Sequence, residues 1–172
     1  MKRWTRYSLA GFAALVILTS MPLLAAAQDR AVILTGAELA RVVPPGFYFQ
    51  GLSAQTQVRN SAAARFGSDR RVIVGMVDTS GYAADVRAKY EGFLITDSEI
   101  SIGGQTLSTG AYGFGFSNAG KLTIMNLAGN EILSVSTTRD RSLRRPRPLM
   151  MTADASRARL YSGRDYVVIS AN

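Results

Sequence analysis

Hydrophobic and polar residues alternate along much of this chain with the two-residue period of β-strands. The clearest segment is residues 111–116, which has Tyr112, Phe114 and Phe116 on one face and glycine at the positions between them. Aromatic side chains bury large apolar areas, so we expect this face in the core, although an exposed platform for sugar rings is the alternative. The glycine face is expected to allow close approach by another segment.

Similar segments recur at the spacing expected of a sandwich or barrel, and they give about ten predicted strands. They cover residues 47–50, 55–59, 71–77, 92–96, 99–102, 111–116, 121–127, 131–138, 157–161 and 166–170. Short turns rich in Gly and Asn join three of them into an antiparallel meander. The continuous apolar run at 71–77 is typical of a strand buried on both faces.

These patterns predict an all-β protein, mainly an antiparallel, jelly-roll-like β-sandwich with one or two short peripheral helices. One helix follows the capping-box spacing of Thr35 and Glu38 and stops before Pro44. The other is predicted in residues 82–90, where apolar side chains recur every four positions. Seven residues are expected to be buried: Val72, Val74, Tyr112, Phe114, Phe116, Ile124 and Val168.

The N-terminal segment has the three parts of a signal peptide. Three basic residues precede an apolar run at 9–18, Pro22 interrupts the apolar stretch, and residues 25–27 are alanines suited to cleavage. An uncleaved membrane anchor is the alternative, because residues 9–27 nearly span a bilayer. We therefore predict a signal peptide at residues 1–27 and one sandwich domain at 31–172. The cleaved protein would be periplasmic or secreted, without a stable membrane span.

Composition excludes several kinds of chemistry. The chain has no Cys and no His, which excludes disulfides, thiolate ligands, histidine metal sites and Ser-His-Asp catalysis. No catalytic residue, metal or cofactor is predicted. Asp97 and Glu99 are the best carboxylate candidates for an envelope hydrolase, but they belong to a polar turn and lack the separation across a cleft that glycoside hydrolysis requires. The sequence therefore favours a non-enzymatic protein.

Positive charge is concentrated in one segment. The signal peptide holds three of the 20 basic residues and none of the 12 acidic ones, so cleavage lowers the formal charge from +8 to +5. Two nearby prolines predict an exposed loop at residues 139–147, and guanidinium groups suit carboxylates and phosphates. The predicted anion-contact residues are Arg139, Arg141, Arg144, Arg145 and Arg147.

Two explanations of this arginine-rich loop remain open. It could contact an anionic envelope component or a protein partner, or it could have a purely structural role, in which its arginines pair with Asp140, Asp154 or Glu131 or keep the sheet edge soluble. Nucleic acid is not expected as a partner, because the loop lacks interleaved aromatic residues. The leading hypothesis is an exported non-enzymatic module that binds a partner or envelope component. The alternatives are an envelope hydrolase and a carbohydrate-binding module.

One part of the chain resembles a known pattern. Residues 102–114 read I-x-G-x-x-L-x-x-G-x-Y-x-F and are followed by Leu122-Thr123-Ile124-Met125-Asn126. This resembles the signature of a family of exported bacterial domains of unknown function, in which such a stretch leads into a β-hairpin. The segments at 47–55 and 59–61 are similar to the same kind of protein. The resemblance extends from Pro44 to the C-terminus and implies a β-sandwich and export, with no catalytic residues to transfer.

Overall fold

The computed structural model describes residues 30–171. The predicted signal peptide, residues 1–27, lies outside the described residues. In chain order the elements are β1 (Ala31–Leu34), α1 (Gly36–Val42), β2 (Gly46–Phe49), β3 (Leu52–Phe66), β4 (Arg70–Val77), α2 (Ala84–Arg87), β5 (Gly92–Thr96), β6 (Ile100–Ile102), β7 (Gln105–Leu107), β8 (Gly110–Ser117), β9 (Lys121–Met125), β10 (Glu131–Ser136), β11 (Thr138–Arg139), β12 (Arg147–Asp154), β13 (Arg157–Gly163) and β14 (Asp165–Ala171).

The strands form two antiparallel sheets, which confirms the predicted β-sandwich. The large sheet has the order β1-β3-β4-β5-β8-β9-β10, with β2 paired to β3. The small sheet has the order β12-β13-β14-β6-β7, with β11 paired to β14. From β3 to β10, neighbouring strands of the large sheet follow one another in chain order, except that β6 and β7 belong to the small sheet. The connections are therefore those of a meander and differ in this respect from a jelly roll.

The sandwich core lies between the two sheets and is mainly aliphatic. Val72, Val74, Phe114 and Ile124 are fully buried in it, as predicted, and two further predicted residues, Tyr112 and Phe116, pack against it while partly exposed. Each strand supplies this core from alternate positions, as the two-residue period requires.

The prediction that Val168 is buried in the core was wrong. In β14 the fully or nearly buried residues are its neighbours Val167 and Ile169, whereas Val168 is half-buried. Val168 lies opposite Arg159 of β13, and opposed residues of an antiparallel pair share a face. Val168 is therefore on the outer face of the small sheet, together with that arginine.

A second apolar cluster, the outer cluster, covers the other face of the large sheet. It contains Phe49 stacked on Tyr90 with ring centroids 3.9 Å apart, and Phe47 stacked on Phe93 at 5.0 Å. Strand β2 and the segments around both helices supply most of its covering residues. Strand β4 thus has apolar neighbours on both faces, which accounts for its continuous apolar sequence.

Glycines in the sheet make room for this cluster, as the alternation in β8 predicts. A Cβ on Gly113 would lie 2.4 Å from the Phe49 ring, and one on Gly115 would lie 2.1 Å from the backbone oxygen of Lys89. Real Cβ atoms do not come that close to backbone oxygens. The outer cluster and its flanking backbone can therefore pack directly on the sheet only at glycines, which have no side chain.

Both predicted helices exist, and they differ in detail from the prediction. Helix α1 begins after Thr35, but the Thr35 side chain makes no capping hydrogen bond. Helix α2 is a single short turn, and the residues around it that face the sheet belong to the outer cluster: Tyr82, Val86 and Tyr90. Strands β1, β7, β11 and β12 and the second half of β3 were not predicted.

Candidate functional site

The arginine loop, residues 139–147, joins β11 to β12 at the small sheet. All five predicted anion-contact arginines are exposed: Arg139, Arg141, Arg144, Arg145 and Arg147. The loop is shorter than predicted at both ends, because Arg139 belongs to β11 and Arg147 and Pro148 begin β12. Pro148 is compatible with a strand here because β12 is an edge strand and its pairing with β13 is irregular at this point.

Asp140 fixes the beginning of the loop. Its Oδ1 accepts hydrogen bonds from the backbone N–H of Ser142, at 2.9 Å, and from the Ser142 hydroxyl, at 2.6 Å. The hydroxyl of Tyr161 in β13 donates to Asp140 Oδ2 at 3.2 Å. These hydrogen bonds hold the pKa of Asp140 below its usual value, and the hydrogen bond from the Ser142 hydroxyl has the largest effect. The loop is thereby attached to the outer face of the small sheet.

Arg164, in the β13–β14 turn, supports the same backbone from the other side. Its Nη1 donates to the carbonyl oxygens of Arg141, at 3.3 Å, and of Leu143. Arg164 therefore binds the main chain of the loop and does not contact the loop's guanidinium groups through these hydrogen bonds. Sequence analysis did not identify Asp140 and Arg164 as anchors, because the contacts of Asp140 with Tyr161 and of Arg164 with Leu143 each join residues 21 positions apart.

The charges of the loop are largely uncompensated. Arg139 pairs with Asp165, which accepts from Nη1 through both carboxylate oxygens at 3.2 Å. Among the described residues, no carboxylate lies within 4.0 Å of the other four guanidinium groups, those of Arg141, Arg144, Arg145 and Arg147. Like charges packed closely in a loop repel one another modestly in water.

Among the described residues, none of the three acids predicted to pair with the loop's arginines forms an ion pair with them. Asp154 pairs instead with Arg159, at 2.7 Å, and with Arg157, at 3.9 Å, both on β13. Asp140 accepts from Ser142 and a tyrosine, as described above, and no ion pair of the described residues includes Glu131.

A groove of about 440 Å³ adjoins the start of the loop on the outer face of the small sheet. We call it the small-sheet groove, and it reaches Thr138, the residue before Arg139. The guanidinium of Arg159 lies over the Tyr166 ring, 5.2 Å from its centroid, beside this groove. The main polar and aromatic residues that line the small-sheet groove are Ser101, Ser136, Thr138, Arg157, Tyr166 and Ser170.

The two carboxylates considered for hydrolysis have different surroundings. Asp97 Oδ1 accepts a hydrogen bond from the backbone N–H of Arg71 at 2.6 Å, and its Oδ2 lies 3.5 Å from Arg71 Nε. Asp97 thus connects the end of β5 to the start of β4. Asp97 lines a groove at this position. Glu99, in contrast, is exposed and does not line that groove. The structure therefore places Asp97, but not Glu99, in the lining of this groove.

One carboxylate that sequence analysis missed is Glu91, just before β5. Its Oε2 accepts a hydrogen bond from the backbone N–H of Phe116 at 3.0 Å. Burial raises the pKa of Glu91, and that hydrogen bond acts in the opposite direction. A buried carboxylate with a raised pKa is a common feature of catalytic acids. Glu91 instead serves β8 as a backbone acceptor, and it is not a lining residue of the small-sheet groove.

Comparison with known proteins assigns no family. The chain matches no protein-family model, no curated protein and no solved structure. Within residues 30–171, no helix is long and apolar enough to cross a bilayer. The resemblance to exported domains of unknown function stays a prediction, and a functional proposal has to be based on the geometry of the molecule.

Proposed function

We propose that this protein is an exported, non-enzymatic module that binds an anionic envelope component through the arginine loop. The observation that carries the proposal is the set of four exposed guanidinium groups without a carboxylate partner: Arg141, Arg144, Arg145 and Arg147. Bound anionic groups would relieve their mutual repulsion and accept charge-assisted hydrogen bonds from them.

The anchoring of the loop supports binding. Asp140 and Arg164 hold the loop backbone through hydrogen bonds that do not use the four unpaired guanidinium groups. A backbone held in place before binding lowers the entropy lost when a ligand is bound. The adjoining small-sheet groove offers Arg157 and Tyr166 as further contacts to the same ligand.

The chemistry of the ligand follows from the loop. Arginine forks suit phosphate and carboxylate groups, and several of them close together suit a ligand with several such groups. Anionic lipid headgroups and acidic polysaccharides both satisfy this requirement. Export, which is suggested by the N-terminal sequence, would place the module where such components occur.

The test compares two variants of the protein, without residues 1–27, that have the same net charge. The loop variant replaces Arg144, Arg145 and Arg147 by Ser. The control variant replaces three exposed basic residues on other elements by Ser: Arg59, Arg87 and Lys121. Retention on an anionic matrix is then measured as the salt concentration at which each protein elutes.

We expect the loop variant to elute at clearly lower salt than the control variant, and the control variant to elute close to the wild type. Equal elution of the two variants would show that only net charge matters, and it would refute the proposal. Sedimentation with phosphatidylglycerol vesicles and with soluble alginate then distinguishes a lipid from a polysaccharide ligand.

A further inference from the structure

A second arginine cluster lies on the large sheet, away from the arginine loop. Arg65 near the end of β3 and Arg71 near the start of β4 are directly opposed in the β3–β4 pair, and Arg41 is in the last turn of α1. Opposed residues of an antiparallel pair share a face, and like charges in that position destabilise the sheet. Such an arrangement requires a compensating negative charge.

The carboxylates of the described residues come within ion-pair distance of only one of the three arginines. Asp97 lies within ion-pair distance of Arg71. No carboxylate of residues 30–171 lies within 4.0 Å of a guanidinium nitrogen of Arg65 or Arg41. Moreover, Arg65 Nε is buried and has no hydrogen-bond partner. Buried donors in native proteins nearly always have a hydrogen-bond partner, so the described residues leave Arg65 incompletely satisfied.

The three arginines line a groove of about 440 Å³ between α1 and the β3–β4 hairpin, which we call the α1 groove. A smaller groove continues from it along the sheet and shares Arg41, Val42 and Arg71 with it. Three apolar side chains line this combined surface beside the charges: Val42, Ile73 and Ile95. A ligand here can therefore combine an oxyanion group with an apolar part.

Acidic residues in the same place limit the charge of the ligand. Glu38 and Asp69 also line the α1 groove, and Asp97 lines its continuation. Their repulsion disfavours a ligand with several negative charges. A single carboxylate, which carries one negative charge, is repelled less by these acids than a phosphate dianion is.

We propose that the α1 groove binds a small organic carboxylate. The carboxylate oxygens accept hydrogen bonds from the guanidinium of Arg65, with Arg41 at the rim. The apolar part of the ligand lies against Val42, Ile73 and Ile95. This site is independent of the arginine loop and of the ligand proposed for that loop.

The test uses benzoate, phenyl phosphate and inorganic phosphate as probes on the protein without residues 1–27. At about 10 mM, benzoate is expected to raise the melting temperature of the wild type by about 2 °C or more, with smaller shifts for the other two probes. Arg65→Met should abolish the benzoate shift. Arg59→Met, at an exposed arginine of the same strand, should keep it. In amide NMR spectra, benzoate should move the signals of Val42, Ile73 and Ile95.

Several outcomes would overturn the proposal. They are the absence of a benzoate shift in the wild type, an unchanged shift in Arg65→Met, and a larger shift with phenyl phosphate than with benzoate.

Without a probe, Arg65→Met should melt at or above the wild-type temperature, because it removes one of two opposed like charges. A fall of more than about 5 °C would mean that Arg65 is a structural residue. If Arg65→Met does not fold, Arg41→Met, on the exposed face of α1, must weaken benzoate binding several-fold.

Discussion

The outer faces of the two sheets differ in what covers them. On the large sheet, the aromatic outer cluster covers the strands, and the Phe49 ring, which stacks on Tyr90, lies directly above Gly113 of β8. On the small sheet, the outer face has Arg157, Arg159 and Tyr166 and remains open as a groove beside the arginine loop. The large sheet thus has cores on both faces, whereas the small sheet has a core on one face and a polar surface on the other.

Apart from the α1 groove, this difference separates the part of the molecule that stabilises the fold from the part available for binding. Burial of apolar area is the main contribution to folding, and most of it lies on the two faces of the large sheet. Substitutions there should lower stability strongly. Substitutions on the outer face of the small sheet should lower stability little and should instead change binding.

The largest effect on stability is expected for Phe114→Ala. Phe114 is fully buried in the sandwich core, so its truncation removes apolar burial and leaves a cavity, at a cost of about 3–5 kcal/mol. Tyr48→Ala is the matched control, because the Tyr48 side chain is 57 % exposed. Urea denaturation of both variants measures the difference. Equal free energies of unfolding for the two variants would mean that β8 has been assigned the wrong buried face.

A smaller loss is expected for Gly115→Ala, which tests the outer layer of the large sheet. The new Cβ would collide with the backbone oxygen of Lys89 and displace the segment before β5, at a cost of about 1–3 kcal/mol. Gly81→Ala is the control, because its Cβ would meet only the end of the Leu52 side chain, at 3.3 Å. Thermal melts of the two variants should differ clearly. If Gly115→Ala were as stable as the control, the outer layer would not be tightly packed on the sheet.

On the small sheet, Arg159→Met should cost less than about 1 kcal/mol. It removes a cation–π contact with Tyr166 and a partly exposed ion pair with Asp154 while keeping the aliphatic stem. The free energy of unfolding, again from urea denaturation, provides the comparison with Gly115→Ala. A loss as large as that for Phe114→Ala would show that the small sheet's outer face also stabilises the fold strongly.

The smallest effect on stability, about 0.5 kcal/mol at neutral pH, is expected for Glu91→Gln, and it should be stabilising. Burial raises the folded-state pKa of Glu91 above the ordinary value of a glutamate side chain. The folded state therefore binds the proton more tightly than the unfolded state does. The resulting stability is fully present below the unfolded pKa and is lost as the pH rises through the folded pKa.

The advantage of Glu91→Gln over the wild type should accordingly shrink as the pH falls from 7 to 4. Glutamine keeps an oxygen that can accept the Phe116 N–H, so the backbone contact is retained. Glu131→Gln, at an exposed carboxylate, is the control. A constant difference between Glu91→Gln and wild type across this pH range would contradict the raised pKa.

Local alternation was enough to predict the sandwich, because β4, β5 and β8 to β10 each show either a clear period or a fully apolar run. It did not predict the second half of β3, where alanines at 62–64 are buried but have weak strand preference. It also missed β12, because the arginines and prolines before it indicate a loop. Strand β12 nevertheless forms, because it pairs with the next strand, β13, in a hairpin.

The candidate sites were predictable to different degrees. Clustered charge and proline predicted the exposure of the arginine loop from residues close together in sequence. The anchoring by Asp140 and Arg164 was not predictable in this way, since it depends on contacts between the loop and the β13–β14 hairpin. The opposition of Arg65 and Arg71 depends on the β3–β4 register, which could not be inferred while the end of β3 was unrecognised.

The claim that the open face of the small sheet is a binding surface is tested most directly by measuring stability and affinity on the same variant. With Arg144, Arg145 and Arg147 replaced by Ser, the melting temperature should stay close to that of the wild type, because exposed charges contribute little to folding. Affinity for the preferred anionic ligand, measured by titration at several salt concentrations, should fall about tenfold or more at low salt, with a weaker salt dependence. Unchanged affinity, or a large loss of stability, would contradict the account.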